Sequence, residues 1–195
     1  MSDAVLTPER ILDTAEEVLR RFGPAKATVL DVARSLGVSH GSVYRHFSSK
    51  AALRDAVAER WLARVSTPLA AIAAEDGPAP ERLHRWLAQL SAEKRRMARE
   101  DPELFDTFHT IATQAREVVA EHLRILAAQI TRIIESGVAR KEFAPTDVAV
   151  AGRAVLQATA RFHHPSHAVE WSEPGIDADY DAVIELVLRG LRAGR

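Results

Sequence analysis

The chain has 195 residues with a formal net charge of −1, 47% of them hydrophobic and 27% charged. That composition suits a globular protein with room for a sizeable core, and a charge so near zero excludes a chain that coats nucleic acid over its whole surface. Cysteine is absent, which removes disulfides, thiolate metal sites and a cysteine nucleophile and fits a reducing cytoplasm; acids interrupt the first apolar stretch, unlike a signal peptide, and no uncharged run approaches the roughly 18–20 residues of a membrane span.

The sequence reads as all-α, about nine helices, because Ala, Leu, Arg and Glu dominate and the apolar spacing is three and four. A first helix is expected over 7–22. Thr7 followed by Pro8 starts it, Ile11, Ala15, Leu19 and Phe22 form its inner face, and Gly23-Pro24 stops it. Thr28 caps a short second helix to Leu36, with Asp31 placed where the helix dipole favours an acid. Gly37 ends that helix, and Ser39 caps a third over 40–47. Ser48 opens a longer fourth to Ala74, and "EDGPAP" breaks the chain. A fifth helix covers 81–100. Asp101-Pro102 caps a sixth to Gln114. A seventh, over 116–136, has its stripe at Val119, Leu123, Leu126, Ile130 and Ile133 and ends at Gly137. Thr146 or Asp147 caps an eighth to Phe162, the segment "HHPSHAVEWSEPGI" is a loop, and a ninth spans 177–191 with Tyr180, Val183, Ile184, Val187 and Leu188 on its apolar side.

Two short helices joined by "LGV" fit a helix-turn-helix, in which a small turn residue lets the helices cross steeply. Val32, Ala33, Leu36, Val38, Val43 and Phe47 form its inner face. The outer face of the second helix presents His40, Gly41, Ser42, Tyr44, Arg45 and His46, slim near the N-terminus and polar at the tips, as a groove-reading helix requires. From Val32 to Arg54 there is no acid, while Arg34, Arg45, Lys50 and Arg54 are basic. A basic patch on a nearly neutral chain is the footprint of one local anionic partner.

The stretch "TVLDVARSLGVSHGSVYRHFSSKAAL", with Tyr44, Phe47, Lys50 and Leu53 in an aromatic-x-x-Phe-x-x-Lys-x-x-Leu pattern, resembles the signature of the tetracycline-repressor (TetR/AcrR) family of bacterial transcription regulators. The strong match covers roughly residues 7–60. It departs at "FGPAKAT", where the family more often has a Gly-aromatic-x-x-Thr-Thr segment. The resemblance implies a DNA-binding domain over 1–53 and a ligand-binding, dimerising helical domain over 54–195, with the chain acting as a homodimer on a palindromic operator. Carried over by position, it implies that Ser39, Gly41 and Ser42 face bases, that Thr28, Tyr44, His46 and Lys50 contact phosphates, and that His40 and Arg45 contact either.

The C-terminal region is read from its residues. Trp86, Leu90, Phe105, Phe108, His109, Ile111, Ala112, Val155, Thr159 and Phe162 are candidates to line an effector pocket, with His109, Gln114 and Thr159 as its polar groups; the competing reading is that aromatics at helical spacing are plain core. "VAVAGRAVLQATARF" is rich in small residues, so Val148, Gly152 and Val155, with Tyr180, Val183, Ile184, Val187 and Leu188 of the last helix, are candidates for an isologous four-helix seam with a second copy. His163, His164 and His167 raise the alternative of a metal-responsive regulator, since imidazole suits Zn or Ni, although Pro165 interrupts the only i, i+4 pair and solvated or capping histidines are the commoner case; no metal ligand is assigned. No Glu-x-x-His or HExxH motif and no Gly-rich phosphate loop supports an enzyme. The expected protein is a cytoplasmic, ligand-responsive DNA-binding regulator, most simply a repressor released by a small molecule, with no cofactor; the remaining alternative is an α-helical module whose basic patch binds acidic protein.

Overall fold

The computed structural model describes residues 5–192. Its helices are α1 (Pro8–Lys26), α2 (Val29–Leu36), α3 (His40–Tyr44), α4 (Lys50–Ala74), α5 (Ala79–Glu100), α6 (Pro102–Gln114), α7 (Arg116–Ala139), α8 (Val148–Ala158) and α9 (Ile176–Leu191). Short 3-10 helices at Ala160–Phe162 and Pro165–Ser172 stand between α8 and α9. The only pairing of extended backbone among the described residues is an isolated bridge, Phe143 with Arg192. No helix among them is long and apolar enough to cross a membrane.

The starts are set by side-chain caps. Thr7 accepts from the Arg10 N–H ahead of Pro8, and Asp101 accepts from the Leu104 N–H ahead of Pro102. Asp147, rather than Thr146, takes the N–H groups of Ala149 and Val150 to start α8. Ser49, one residue after the expected Ser48, accepts from the Ala52 N–H as α4 begins. Each cap satisfies donors that have no intrahelical partner.

Contacts divide the chain into two units, and the division falls inside α4 and again inside α7. One unit comprises residues up to Leu62 together with Asp101–Ala120. Its core gathers Ile11, Ala15 and Val18 of α1, Val29, Val32 and Ala33 of α2, Val43 of α3, and Leu53, Val57 and Trp61 of α4. Trp61 stacks on Phe108 with centroids 4.8 Å apart and meets Phe105 edge-on at 6.2 Å. Arg60 bridges to α1, donating Nε to Glu16 (2.8 Å) and Nη1 to Asp13 (2.7 Å). Arg20 of α1 reaches the α6 cap Asp101 at 3.2 Å. Phe22, expected on the inner face of α1, is exposed; it lies in the last turn before Gly23 breaks the helix at φ 72°, and Arg21 sits over its ring.

The other unit comprises Ala63–Glu100 and the chain from Glu121 onward. Leu83, Trp86, Leu87 and Leu90 of α5 pack with Leu126, Ile130, Ile133 and Ile134 of α7, Val155 and Leu156 of α8, and Ile184 and Leu191 of α9. Leu126, Ile130 and Ile133 of the expected α7 stripe are buried, while one turn earlier Leu123 is exposed and His122 is buried beside it. Gly137 does not end α7, which runs on to Ala139; a Cβ at that position would lie 2.4 Å from the Phe143 ring and 2.8 Å from Ala79 Cβ. The expected loop after α8 is largely 3-10 helix, anchored by buried Trp171, whose Nε1–H donates to the Arg161 carbonyl at 2.8 Å.

Candidate nucleic-acid interface

The helix pair α2–α3 is built almost wholly by local rules. Thr28 and Asp31 form a reciprocal capping box: Thr28 Oγ1 accepts from the Asp31 N–H, and an Asp31 carboxylate oxygen accepts from the Thr28 N–H. Gly37 then turns the chain with φ 67°, ψ 29°, a left-handed conformation that glycine adopts without a Cβ clash. Ser39 caps α3, its Oγ accepting from the Ser42 N–H at 3.1 Å. Val43, 1% exposed, is the inward anchor of α3. Leu36, Val38 and Phe47 are half-buried at the edge of that core.

With Val43 turned in, His40, Gly41, Arg45 and His46 are exposed and Ser42 and Tyr44 half-exposed. The His40 and Tyr44 rings meet edge to face, centroids 4.6 Å apart, so the two side chains stand together one helical turn apart. Ser39 Oγ and Ser42 Oγ are 2.8 Å apart, and Arg45 Nη2 donates to Ser42 Oγ at 3.1 Å. Lys50 is exposed in the first turn of α4. The face is thus slim at one end, polar in the middle and cationic at the other.

The structure refines the charge count. Arg34 stands 4.0 Å from Asp31, and Arg54 donates to Asp55 through Nε (3.1 Å) and Nη2 (2.8 Å). The positive face therefore rests mainly on Arg45 and Lys50. Thr28 is exposed, but its hydroxyl already donates to Asp31 at 2.6 Å, so it presents little hydrogen-bonding capacity to an outside group.

The residues expected to line an effector pocket are shared between the units. Trp86, Leu90, Val155, Thr159 and Phe162 belong to one and are all buried; Phe105, Phe108, Ile111, His109 and Ala112 belong to the other, the last two half-buried. Thr159 Oγ1 bonds back to the Val155 carbonyl at 2.9 Å and lies 3.3 Å from His163 Nε2. Among the candidate seam residues, Val155 and Ile184 are buried inside their own unit. Gly152 serves a close approach within the chain: a Cβ there would lie 2.2 Å from Thr131 Oγ1 and 3.1 Å from the Ala127 carbonyl of α7. Val148, Tyr180, Val183, Val187 and Leu188 are half-buried, and Val150 and Leu186 are exposed beside them.

The three late histidines are engaged locally. His163 is buried beside Thr159 and the Leu156 carbonyl, His164 Nδ1 accepts from the Ser166 N–H, and His167 Nδ1 lies 2.6 Å from Glu170. Among the described residues no group of three or more His, Asp and Glu is gathered as a metal site would need.

Sequence reasoning passed over a buried polar cluster. Lys94 is 4% exposed on α5, and burial holds its ammonium down to about 8. His122 is held down to about 3 by burial, then by the Lys94 charge and His163. His163 is held down to about 4, again chiefly by burial. The signal was present in the spacing, since Lys94 continues the buried series Leu83, Leu87, Leu90 at steps of four, three and four. Tyr180 adds a buried hydroxyl without a hydrogen-bond partner, its ring edge-on to Phe162 at 5.3 Å.

Residues 11–57 match the family model described as bacterial regulatory proteins, tetR family, and residues 79–184 match the tetracyclin repressor-like C-terminal domain. An uncharacterized HTH-type transcriptional regulator of Mycobacterium tuberculosis is 29% identical over 131 residues, 67% of this chain and 63% of the relative, so the chain spans somewhat less than two thirds of that protein's length. Among solved structures, a TetR-family transcriptional regulator from Mesorhizobium loti superposes with a TM-score of 0.75 at 17% identity, covering 95% of this chain and 96% of the other. SmeT, the repressor of a Stenotrophomonas maltophilia multidrug efflux pump, gives 0.70 at 19% identity, covering 95% and 90%.

Proposed function

This chain belongs to the tetracycline-repressor family of bacterial regulatory proteins, and on that footing we propose that it is a ligand-responsive transcription regulator that binds duplex DNA as a homodimer and represses until a small molecule releases it. The observation that carries the reading is the α3 face: Val43 buried as anchor while His40, Gly41, Ser42, Arg45 and His46 point outward, with Lys50 just beyond. Ser39, Gly41 and Ser42 are the base-facing residues in this reading. Tyr44, His46 and Lys50 hold phosphates, His40 and Arg45 serve either role, and Thr28 acts mainly as the cap of α2. Residues 1–53 form the DNA-binding domain and 54–195 the regulatory and dimerising part. The exposed Val150 and Leu186, with half-buried Val148, Tyr180, Val183, Val187 and Leu188, support a seam formed by α8 and α9. A dimer suits the DNA reading because one short recognition helix spans few base pairs and a two-fold pair doubles the contact on a palindrome. The effector acts by binding the DNA-competent and incompetent states with different affinity.

The test is a mobility shift on the DNA flanking its own coding region. Protection of a pseudo-palindromic site that weakens steeply with salt is expected. Lys50→Ala should weaken all sequences alike and lower the salt slope by about 1, while Ser42→Ala should change sequence preference. Absence of any protected site would refute the proposal.

A further inference from the structure

A cavity of about 350 Å³ lies within the first unit, opening beside the start of α4. This is at the lower end of the roughly 300–1,000 Å³ of small-molecule sites. Val18 and Leu19 of α1, Val32 of α2, Val57 of α4 and Ile111 of α6 supply an apolar wall. Thr28, Lys50, Arg54 and Gln114 supply the polar part, and no lining residue is acidic. Lys50 is exposed at the rim. Arg54 is half-buried; Asp55 holds its Nε and Nη2 edge, but its Nη1 reaches Gln114 Oε1 at 3.3 Å, a long bond that a better acceptor would displace. An apolar wall under a cationic rim selects an amphipathic organic anion, apolar body inward and acid group at the two cations.

We propose that this cavity is a small-molecule site for an amphipathic organic anion, whose acid group engages Lys50 and Arg54 and thereby takes Lys50 away from DNA. The competition step rests on the reading of Lys50 as a phosphate contact; the binding step does not. The occupant acts within the same compact unit that carries α3, by claiming a cation that the nucleic acid needs. The wall joins α1 and α2 to α4 and α6, so an occupant also props apart the helices that carry α3.

The probe is octanoate, with octan-1-ol as its neutral counterpart, titrated calorimetrically into the full chain without DNA. One octanoate per chain is expected, with octan-1-ol binding more weakly. Ala51→Phe, which adds bulk at an exposed lining position, should weaken octanoate at least tenfold or so by filling the mouth, and Ala51→Ser should leave it unchanged. Lys50→Gln should weaken octanoate but not octan-1-ol. Octanoate binding that is the same in wild type, Ala51→Phe and Lys50→Gln would overturn the site. In a second arm, anisotropy with a duplex selected from a random-sequence pool should show saturating octanoate raising the DNA Kd by about tenfold, the worth of one charge-assisted contact, in wild type and not in Ala51→Phe. Octanoate that binds but leaves the DNA Kd of the wild type unmoved would overturn the competition. If no duplex is selected, the DNA reading fails and calorimetry alone still decides the site.

Discussion

The two units solve opposite problems with their polar residues. In the first, most charge sits at the rim: Arg45 and Lys50 are exposed, buried Glu16 is answered by Arg60, which also takes Asp13, and the rest of the interior is chiefly aliphatic and aromatic. In the second, charge and imidazole are taken inside: Arg82, Lys94, His122 and His163 are all buried. Arg82 is served by the Glu75 carbonyl and Ser136 Oγ. A surface that must meet an anion gains by keeping its cations hydrated and reachable. An interior that carries them is less stable than an apolar one of equal volume, and such a cost is often tolerated where a ligand is recognised.

Four measurements test this contrast. The largest effect should come from the second unit's tightest approach. Gly152→Val forces a Cβ into Thr131 and the Ala127 carbonyl, and a loss of about 3 kcal/mol is expected, read as a lower urea midpoint. An unchanged midpoint would mean that α7 and α8 do not approach this closely. Lys94→Met should act in the opposite direction. Burial lowers the Lys94 pKa from 10.5 to about 8, a penalty of about 3 kcal/mol at 1.36 kcal/mol per unit, and its removal should raise the thermal midpoint. A fall instead would show that the ammonium is well compensated where it lies.

Acid should distinguish the units next. His122 and His163 have folded pKa values below the usual 6.5, at about 3 and about 4. The unfolded chain therefore takes up protons first, and stability is complete above about pH 6.5 and lost as pH falls toward 4. For His163 the loss between pH 7 and 5 is about 2 kcal/mol, and His163→Gln should flatten that part of the profile. A wild-type stability flat over that range would end the contrast. The smallest effect belongs to the first unit: Thr28→Ala removes one half of the capping box and should cost about 1 kcal/mol, with no pH dependence between 5 and 7.

What was legible in the sequence follows the same division. Caps, turns and the outward face of α3 depend on residues three or four apart, so Thr7, Thr28, Ser39 and Asp101 were readable where they stand. Gly37 is readable as a stop because its left-handed backbone is a local demand and no neighbour crowds it. Gly137 reads the same in sequence, yet it is small because Phe143 and Ala79 press on it, a fact that lies in the packing. On α7 the spacing gives Leu126, Ile130 and Ile133 correctly, but polarity misplaces the turn before them, where the fold buries His122 and leaves Leu123 exposed. Two of the four basic residues in the acid-free window are answered by Asp31 and Asp55 just outside it, which a window of sequence excludes by construction. The cavity of the first unit depends on Ile111 and Gln114, more than fifty residues from the nearest other lining position, and no local pattern announces it.

The Ser39–Ser42–Arg45 chain has a directional consequence. Ser42 Oγ accepts a hydrogen bond from Arg45 Nη2 and shares a second with Ser39 Oγ. A hydroxyl has one proton and two lone pairs. If Ser42 donates to Ser39, it has a lone pair left to offer; if Ser39 donates, Ser42 has only its proton left. In the proposed complex the first state favours a base edge that gives a hydrogen and the second one that takes it. The orientation of the hydroxyl at position 39, the cap of α3, thus sets the polarity with which position 42 is read.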